Sequence, residues 1–350
     1  MHPTAIDKSA ENFNGDVSWF YNYKQTPVLW QGDWADKNQV EFVPMIPQPW
    51  LWDDDDKNSG KRCFFDKDEG KLCTLGDVID VLTNAKEARK DGVPITSLMG
   101  FNEMYNNPDD LTPAESALYW GMFVQPAAIA TELSLISPTL KAKEDGTTWF
   151  SDFLKKCYDL KDHDDHPCDV ELIKKFAVHQ YDCRERIWND WYGGDKSAMI
   201  QSLIEKMGDY CPYEEDNCPD WPAYLRDRDL WVTETSCYLE PIDPALTNWN
   251  FEYPHASSKE QCLRTTGQMP DTHGAGSITK MEELINIERY AWWTTFNGKQ
   301  TKPHYLTYKD GQLNPQERPM RILVIQRSIA SFLERNITSI HIHISQLISQ

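Results

Sequence analysis

Two stretches of the sequence decide the fold, Leu98-Met-Gly-Phe-Asn-Glu103 and Leu230-Trp-Val-Thr-Glu234. Each is an apolar run of strand length that ends in a glutamate. In an α/β barrel the strands open to solvent at their carboxyl ends, where the following loops build the active site. The two runs therefore predict two parallel strands that present carboxylates at the same edge of one sheet.

Similar runs, rich in β-branched and aromatic residues, alternate with amphipathic stretches along the chain. This alternation predicts a parallel α/β architecture. No G-x-G-x-x-G or P-loop motif follows any run, which disfavours a nucleotide-binding sheet. We therefore expect a single (β/α)8 TIM barrel with disulfide-stapled loops. The strand candidates are Val17–Tyr23, Glu41–Ile46, Ser97–Glu103, Leu133–Leu140, Lys175–Tyr181, Leu230–Thr235 and Arg289–Phe296.

Seven candidates leave an eight-stranded barrel one strand short. We expect the missing strand between Met45 and Ile95, where Arg62 to Phe65 is a weak candidate. Thr112-Pro-Ala-Glu115 resembles a capping box with proline at the first helical position, so a helix should begin there. The helical stretches are Leu75–Lys90, Thr112–Phe123, Trp149–Tyr158, Lys196–Met207 and Ile278–Ile287.

Composition restricts the class of partner. The chain of 350 residues carries 35 Lys plus Arg against 55 Asp plus Glu, a net charge of −20. Such a surface repels polyanions, so we expect no nucleic-acid partner and no membrane partner. No stretch reaches the roughly 18 apolar residues of a membrane span. The 14 Trp and 15 Tyr residues supply flat apolar faces with polar edges, which suit both cores and sugar rings. We expect a monomer.

Nine cysteines indicate an oxidising compartment, so we expect a secreted protein. Residues 1–15 are polar, and no signal peptide is visible in them. None of the cysteines forms a C-x-x-C motif, which disfavours a zinc site. Connectivity cannot be deduced from spacing, but three close pairs flank segments that a disulfide would stabilise. These are Cys63/Cys73, Cys157/Cys168 and Cys211/Cys218.

Glu103 and Glu234 are the candidate catalytic residues. Two strand candidates lie between their strands, so the carboxylates should face each other across one cleft. Retaining glycoside hydrolysis needs such a pair about 5–5.5 Å apart, because one carboxylic acid protonates the leaving oxygen while the other carboxylate attacks the anomeric carbon. We expect an apolar setting and the charge of Glu234 to keep Glu103 protonated. Each glutamate also fits a solvated loop position or half of an ion pair, and the residues alone leave both interpretations open.

Several blocks resemble glycoside hydrolase family 128. Gly100-Phe-Asn-Glu103 followed by Leu111-Thr-Pro-Ala-Glu-Ser-Ala117 is similar to the family signature, in which G-F-N-E-P precedes an L-T/S-P-x-x-A helix. In two places the chain departs from the family, with Met104 at the usual proline and Gln180 at the usual tryptophan of V-H-W-Y. Other blocks occur in the family's order: Val17-Ser-Trp-Phe-Tyr-Asn22, Phe42-Val-Pro-Met45, Ser137-Pro138, Trp149–Phe153, Val178-His-Gln-Tyr181, Trp231-Val-Thr-Glu234 and Tyr290-Ala-Trp292.

The family comprises retaining endo-β-1,3-glucanases on a (β/α)8 barrel. The resemblance therefore implies hydrolysis of β-1,3-glucan polysaccharides or oligosaccharides, with Glu103 as acid/base and Glu234 as nucleophile. It implies residues 16–318 as the catalytic domain, with residues 1–15 an N-terminal extension and residues 319–350 a tail of unknown structure.

Other polar and aromatic residues at strand ends are candidates for substrate binding. His179 and Tyr181 lie two positions apart and point to one face, so both should reach the nucleophile, although two satisfied core residues would show the same pattern. Asn102 is expected to bind a sugar hydroxyl, and Trp292 to form the floor of the site. The substrate-binding candidates are Asn102, Tyr21, Asn22, His179, Tyr181 and Trp292.

We expect neither a metal nor a cofactor, because catalysis by two carboxylates needs none. The Asp53–Asp56 run fits a solvated acidic loop better than a calcium site. The His163-Asp-Asp-His166 cluster lies in an irregular loop rather than on a helix, where ligands at this spacing would converge. Two alternative functions stay open: a barrel that binds or senses β-1,3-glucan with little catalysis, and a retaining glycosidase for another β-glycan backbone.

Overall fold

A computed structural model of the chain describes residues 18–27, 35–36, 39–51, 62–66, 70–104, 111–141, 144–180, 191–193, 198–208, 210–211, 220–235, 281, 284 and 286–292. Its strands are β1 Trp19–Phe20, β2 Glu41–Phe42, β3 Trp50–Leu51, β4 Arg62–Asp66, β5 Gly70–Leu72, β6 Ser97–Met99, β7 Ser134–Ile136, β8 Leu140–Lys141, β9 Ile173–Gln180, β10 Asp229–Thr235 and β11 Ile287–Trp292. Its α-helices are α1 Leu75–Ala88, α2 Pro113–Tyr119, α3 Gln125–Thr131, α4 Glu144–Asp159, α5 Ala198–Met207 and α6 Trp221–Arg226.

A curled parallel sheet forms the centre of the described fold. Its order is β11-β10-β9-β7-β6, and β8, which follows β7 in the chain, also pairs with β9. β1 and β2 pair in parallel, and a parallel bridge between Met45 and Met99 links the chain after β2 to β6. The predicted α/β fold is confirmed as a parallel half-barrel, and three strand steps separate β6 from β10, as expected.

The prediction of a barrel strand between Met45 and Ile95 is wrong. Met45 pairs directly with Met99, so no strand lies between them in the sheet. β4, which contains the weak candidate, instead pairs antiparallel with β3 and β5. A disulfide between Cys63 of β4 and Cys73 after β5 closes this hairpin. The β-forming residues of this segment thus build an antiparallel, disulfide-bonded hairpin and are not part of the parallel sheet.

Two hydrophobic clusters divide the interior. The larger one fills the space between the sheet and the helices. The smaller one lies inside the curl of the sheet and comprises Trp19, Val43, Met45, Met99, Ile136, Ala177 and Trp231. Within the curl, the Arg289 guanidinium of β11 lies 4.3 Å from the ring centroid of Trp231, and its Nη1 is 2.6 Å from Oε2 of Glu41 in β2. These contacts join the last described strand to the second.

The segment that follows Glu103 starts a helix in the predicted way. Thr112 and Glu115 form a capping box, and Pro113 is the first residue of α2. α2 continues into a π-helix, Trp120–Val124, before α3. Trp120 is fully buried, and a Cβ atom at Gly100 would lie 2.2 Å from its ring. Gly100 therefore leaves the space that Trp120 occupies directly beneath the Phe101-Asn102-Glu103 segment.

Two of the expected disulfides are confirmed, Cys63–Cys73 and Cys157–Cys168. Cys211 is also disulfide-bonded, and its expected partner Cys218 lies outside the described residues. The predicted helix at 196–207 is confirmed as α5, whereas Ile287, expected to end a helix, begins β11. In the part of the chain that the structure describes, none of the helices has the length and apolar character to span a bilayer.

Candidate active site

Glu103 lies just beyond the carboxyl end of β6, in an unusual backbone conformation. Its φ of 45° is in the left-handed region, where a non-glycine residue costs about 1–3 kcal/mol and is found mainly at functional sites. The Glu103 amide donates to the Thr139 carbonyl at 3.2 Å, and Asn102 forms a parallel bridge with Thr139. The chain before β8 therefore holds the glutamate in this position.

The register of three strands places the other polar residues of the site in one row. Lys141 of β8 and Glu234 of β10 are both Cα partners of His179 in β9. Val232 pairs with Val178 and Glu234 with His179, so Thr233 is an extra residue in β10. A bulge of this kind re-aims the side chains that follow it. Here it brings Glu234 opposite His179.

His179 joins the two candidate catalytic glutamates. Its Nδ1 lies 2.6 Å from Oε1 of Glu103, which is the length of a strong charge-assisted hydrogen bond. Its Nε2 lies 3.5 Å from Oε1 of Glu234, slightly beyond a normal hydrogen bond. The imidazole is buried, with 1% of its side chain exposed. The carboxylates predicted from the two strand ends thus converge on the two nitrogens of one ring.

Lys141 completes the surroundings of Glu103. Its Nζ lies 3.1 Å from Oε2 of Glu103, while Oε1 faces His179. Burial alone would raise the pKa of Glu103, but the hydrogen bond and charge of His179, together with Lys141, outweigh it and lower the pKa to about 2. The expectation that an apolar setting keeps Glu103 protonated is therefore wrong for the free protein. The hydrogen bonds and charges of these two neighbours favour the carboxylate more strongly than burial opposes it.

Two tyrosines hold Glu234. The Tyr21 hydroxyl donates to Oε1 of Glu234 at 3.0 Å and lies 3.1 Å from the Thr233 carbonyl. The Tyr23 hydroxyl contacts the same Oε1 atom at closer range. Tyr23 has a φ of 59°, so it too adopts the left-handed conformation, just after β1. The chain that follows the first strand thus supplies hydroxyl donors to the carboxylate at the end of β10.

Tyr23 and Lys141 were not among the site residues predicted from the sequence. Tyr23 shares the parity of Tyr21, and that spacing of two could have indicated a second hydroxyl on the same face. Lys141 could have been found only from the pairing of β8 with β9, because it lies well apart from both glutamates in the sequence.

The remaining predicted site residues are less closely tied to this row. Asn22 donates through Nδ2 to the Thr26 carbonyl at 3.1 Å, a contact within its own turn. Asn102 is partly buried next to Glu103, and its role toward a sugar stays a prediction. Trp292 ends β11 as the Cα partner of Thr235, so its backbone lies at the edge of the sheet expected for it. Tyr181 lies outside the described residues.

The described residues contain no group of three or more His, Cys, Asp or Glu side chains placed to hold a metal ion. The Nδ1 atom of His163 accepts hydrogen bonds from the amides of Asp165 and His166, at 3.3 and 3.1 Å. That histidine therefore stabilises its own turn. The Asp53–Asp56 run lies outside the described residues.

Paired carboxylates at the carboxyl ends of parallel strands are the arrangement with which glycoside hydrolases cleave sugar polymers. The chain belongs to the glycosyl hydrolase catalytic core family, whose model matches residues 3–318. The chain is therefore a glycoside hydrolase, as predicted. A search of curated proteins finds no match to the sequence.

Solved structures with the same fold include family 128 enzymes, which confirms the resemblance seen in the sequence. A subgroup II endo-β-1,3-glucanase from Pseudomonas viridiflava is 19% identical, with 92% of this chain and 94% of that chain covered and a TM-score of 0.54. The subgroup II endo-β-1,3-glucanase from Sorangium cellulosum is 19% identical, with 91% and 94% covered and a TM-score of 0.51. A subgroup VI exo-β-1,3-glucanase from Aureobasidium namibiae is 13% identical, with 90% of each chain covered and a TM-score of 0.50.

Proposed function

We propose that the protein is a retaining endo-β-1,3-glucanase, in which Glu103 is the acid/base and Glu234 the nucleophile. The observation that carries this proposal is the contact of both carboxylates with the one buried imidazole of His179. The names of the solved relatives, two endo-β-1,3-glucanases and one exo-β-1,3-glucanase, support β-1,3-glucan as the substrate.

The proton that the first step needs is available in this arrangement. An imidazolium with two carboxylates holds the same number of protons as a neutral imidazole with one protonated carboxyl group. Transfer from Nδ1 of His179 to Oε1 of Glu103, across 2.6 Å, interconverts the two states. Glu103 can therefore act as an acid although its pKa in the free protein is low.

Hydrolysis then proceeds by double displacement. Glu103 gives its proton to the glycosidic oxygen while Glu234 attacks the anomeric carbon, so the leaving alcohol departs and a glycosyl-enzyme ester forms. Glu103, now a carboxylate, takes a proton from water, and the oxygen of that water attacks the anomeric carbon and releases Glu234. The hydroxyls of Tyr21 and Tyr23 orient the carboxylate of Glu234 for the attack.

The test is hydrolysis of laminarin by the purified protein, with new reducing ends counted and the anomer of the first product identified by NMR. We expect the β-anomer first, and a loss of at least about 1,000-fold in kcat for Glu234→Gln, because the nucleophile is absent. An α-anomer first, or unchanged hydrolysis by Glu234→Gln, would contradict the proposal. The distribution of oligosaccharide lengths distinguishes endo from exo action.

One observation favours a second candidate, a β-1,3-glucan-binding barrel with little catalysis. The Lys141 and His179 contacts favour the ionised form of Glu103, whereas the first step needs its protonated form. Binding of laminarin oligosaccharides without turnover, and without any effect of Glu103→Gln on residual activity, would support this candidate. A panel of β-linked polysaccharides tests the third possibility, a glycosidase for another backbone.

Four further features belong to this proposal. The half-barrel closes into a (β/α)8 barrel; because Met45 pairs with Met99, the eighth strand of that barrel is not the one expected between Met45 and Ile95. Residues 16–318 form the catalytic domain, between an extension at 1–15 and a tail at 319–350, both of which lie outside the described residues. The disulfides support secretion into an oxidising compartment. The protein works as a monomer, which light scattering of the purified chain would test.

A further inference from the structure

We propose that Lys141 is a positioning residue for Glu103, which orients the acid/base carboxylate and sets the upper pH limit of the reaction. The inference rests on the proposed function, because it takes Glu103 to be the acid/base. It assigns a role to a residue that no feature of the sequence had singled out.

The first support for this role is the set of contacts that hold Glu103 in place. Nζ of Lys141 lies 3.1 Å from Oε2 of Glu103, and Nδ1 of His179 lies 2.6 Å from Oε1. Both carboxylate oxygens therefore have a nitrogen donor, and the plane of the carboxylate is defined. The Thr139 carbonyl also accepts from the Glu103 amide. Residues 139–141 thus hold both the main chain and the side chain of Glu103.

The charges give the second argument. Two cationic side chains among the described residues contact Glu103, Lys141 from β8 and His179 from β9. Across His179 lies Glu234 of β10, which also contacts Tyr21 and Tyr23. The His179 ring contacts both carboxylates, so a positive charge on the ring acts on both of them. The ammonium of Lys141 contacts Oε2 of Glu103, and His179 contacts Oε1, so the lysine charge acts directly on the acid/base.

The positive charge of Lys141 affects the first half-reaction, in which Glu103 donates a proton. The ammonium of Lys141 places a positive charge 3.1 Å from Oε2 of Glu103. A fixed positive charge beside Glu103 opposes the protonated carboxyl group that must donate to the leaving oxygen. Opposite charges at this distance typically lower a carboxyl pKa by about 1–3, and Lys141 contributes to the low pKa of Glu103. The side chain is 30% exposed, which partly screens the effect.

The experiment compares the pH dependence of kcat/KM on laminarin oligosaccharides for three variants with that of the wild type. Lys141→Met removes the charge and keeps most of the side chain's length, whereas Lys141→Arg keeps the charge. Lys90→Met removes a matched lysine from an exposed ion pair with Glu87 at the end of α1. In Lys141→Met we expect the alkaline limb of the kcat/KM profile to move to a higher pH by about one unit. The limb should stay where it is in Lys141→Arg and in Lys90→Met. One pH unit above the wild-type limb, Lys141→Met should retain about fivefold more of its maximal kcat/KM than the wild type.

An unchanged alkaline limb in Lys141→Met would overturn the inference, and so would an equal displacement in Lys90→Met. A second measurement needs no activity. The contribution of Glu103 to the free energy of unfolding, measured as the wild type minus Glu103→Gln, should disappear at a higher pH when Lys141→Met is also present. If it disappears at the same pH, the inference fails. If instead Glu103→Gln is fully active, the proposed function fails, whatever the result for Lys141.

Discussion

Glu234 lies opposite His179 because β10 contains one more residue than β9 between their paired positions. Val232 pairs with Val178, the next pair is Glu234 with His179, and Thr233 is the additional residue. Without this bulge, Thr233 would be the partner of His179 and Glu234 would follow one position later. A one-residue change in register turns a side chain to the other face of a strand. The bulge therefore decides that the carboxylate meets the imidazole.

His179→Gln should reduce kcat on laminarin by at least about 100-fold, because in the proposed mechanism the imidazole that links the two carboxylates supplies the proton of the first step. The measurement is steady-state kinetics of the folded variant, with circular dichroism as the check on folding. His163→Gln is the matched control, since His163 lies in the loop before β9 and hence at the opposite edge of the sheet from the site. A kcat within threefold of the wild type for His179→Gln would contradict the role of the ring.

Removing either hydroxyl that contacts Glu234 should slow the reaction. For Tyr21→Phe and for Tyr23→Phe we expect kcat to fall about tenfold, in line with the loss of one hydrogen bond to a charged group. KM should change less than kcat, since each hydroxyl contacts the carboxylate of Glu234, the proposed nucleophile. Tyr210→Phe is the control, because its hydroxyl contacts Asp159 at the end of α4. Equal kinetics of all three variants would show that the hydroxyls play no part in catalysis.

Glu103 should stabilise the folded protein at neutral pH and lose this effect in acid. Its pKa is lowered from 4.5 to about 2, so folding favours the carboxylate. The contribution is fully present above pH 4.5 and is lost as the pH falls toward 2. At full strength it amounts to about 3 kcal/mol, at 1.36 kcal/mol per pH unit.

Chemical denaturation of the wild type and Glu103→Gln between pH 7 and pH 2.5 measures this contribution. The stability difference between the two proteins should decrease through the acid range. If the difference is constant with pH, Glu103 is not held as a carboxylate in the folded protein.

Gly100→Ala should be strongly destabilising. The added Cβ would lie 2.2 Å from the Trp120 ring and 3.1 Å from the Pro138 nitrogen, so a fully buried tryptophan has to move. Overpacking of this kind costs about 1–3 kcal/mol. At Gly76, in the first turn of α1, the nearest atom is 3.7 Å away, and Gly76→Ala should be neutral or stabilise by up to about 1 kcal/mol. Thermal unfolding compares the two, and similar melting temperatures would refute the close contact.

The part of the site that the sequence could predict lies at strand ends. Glu103, His179 and Glu234 each stand near the end of an apolar run, and strands that are parallel bring such ends to one edge. Tyr21 was found in the same way, and the structure places its hydroxyl against Glu234. Two of the three close cysteine pairs that the sequence offered as candidates, Cys63–Cys73 and Cys157–Cys168, are disulfides in the structure.

The features that could not be predicted depend on pairing between distant segments. The ionisation of Glu103 is set by Lys141 and His179, which come from two other strands. The bulge at Thr233 has no signal in the composition of β10. Likewise, β4 has the residues of a buried strand, but its antiparallel pairing with β3 and β5 is visible only once the register is known. The local sequence pattern indicates which residues form strands, but it does not indicate which strands pair with each other.

The contact of Arg289 with Glu41 and Trp231 has a consequence for biosynthesis. Residues 41 and 289 are separated by 248 positions, so the ribosome has made most of the chain before the cation that neutralises Glu41 emerges. Until then the nascent polypeptide carries an uncompensated acid and an uncovered tryptophan face on its unfinished inner wall. Long-range closure of this kind makes folding slow and leaves such intermediates open to aggregation. Closure of the inner wall between β2 and β11 therefore waits until the last described strand has been synthesised.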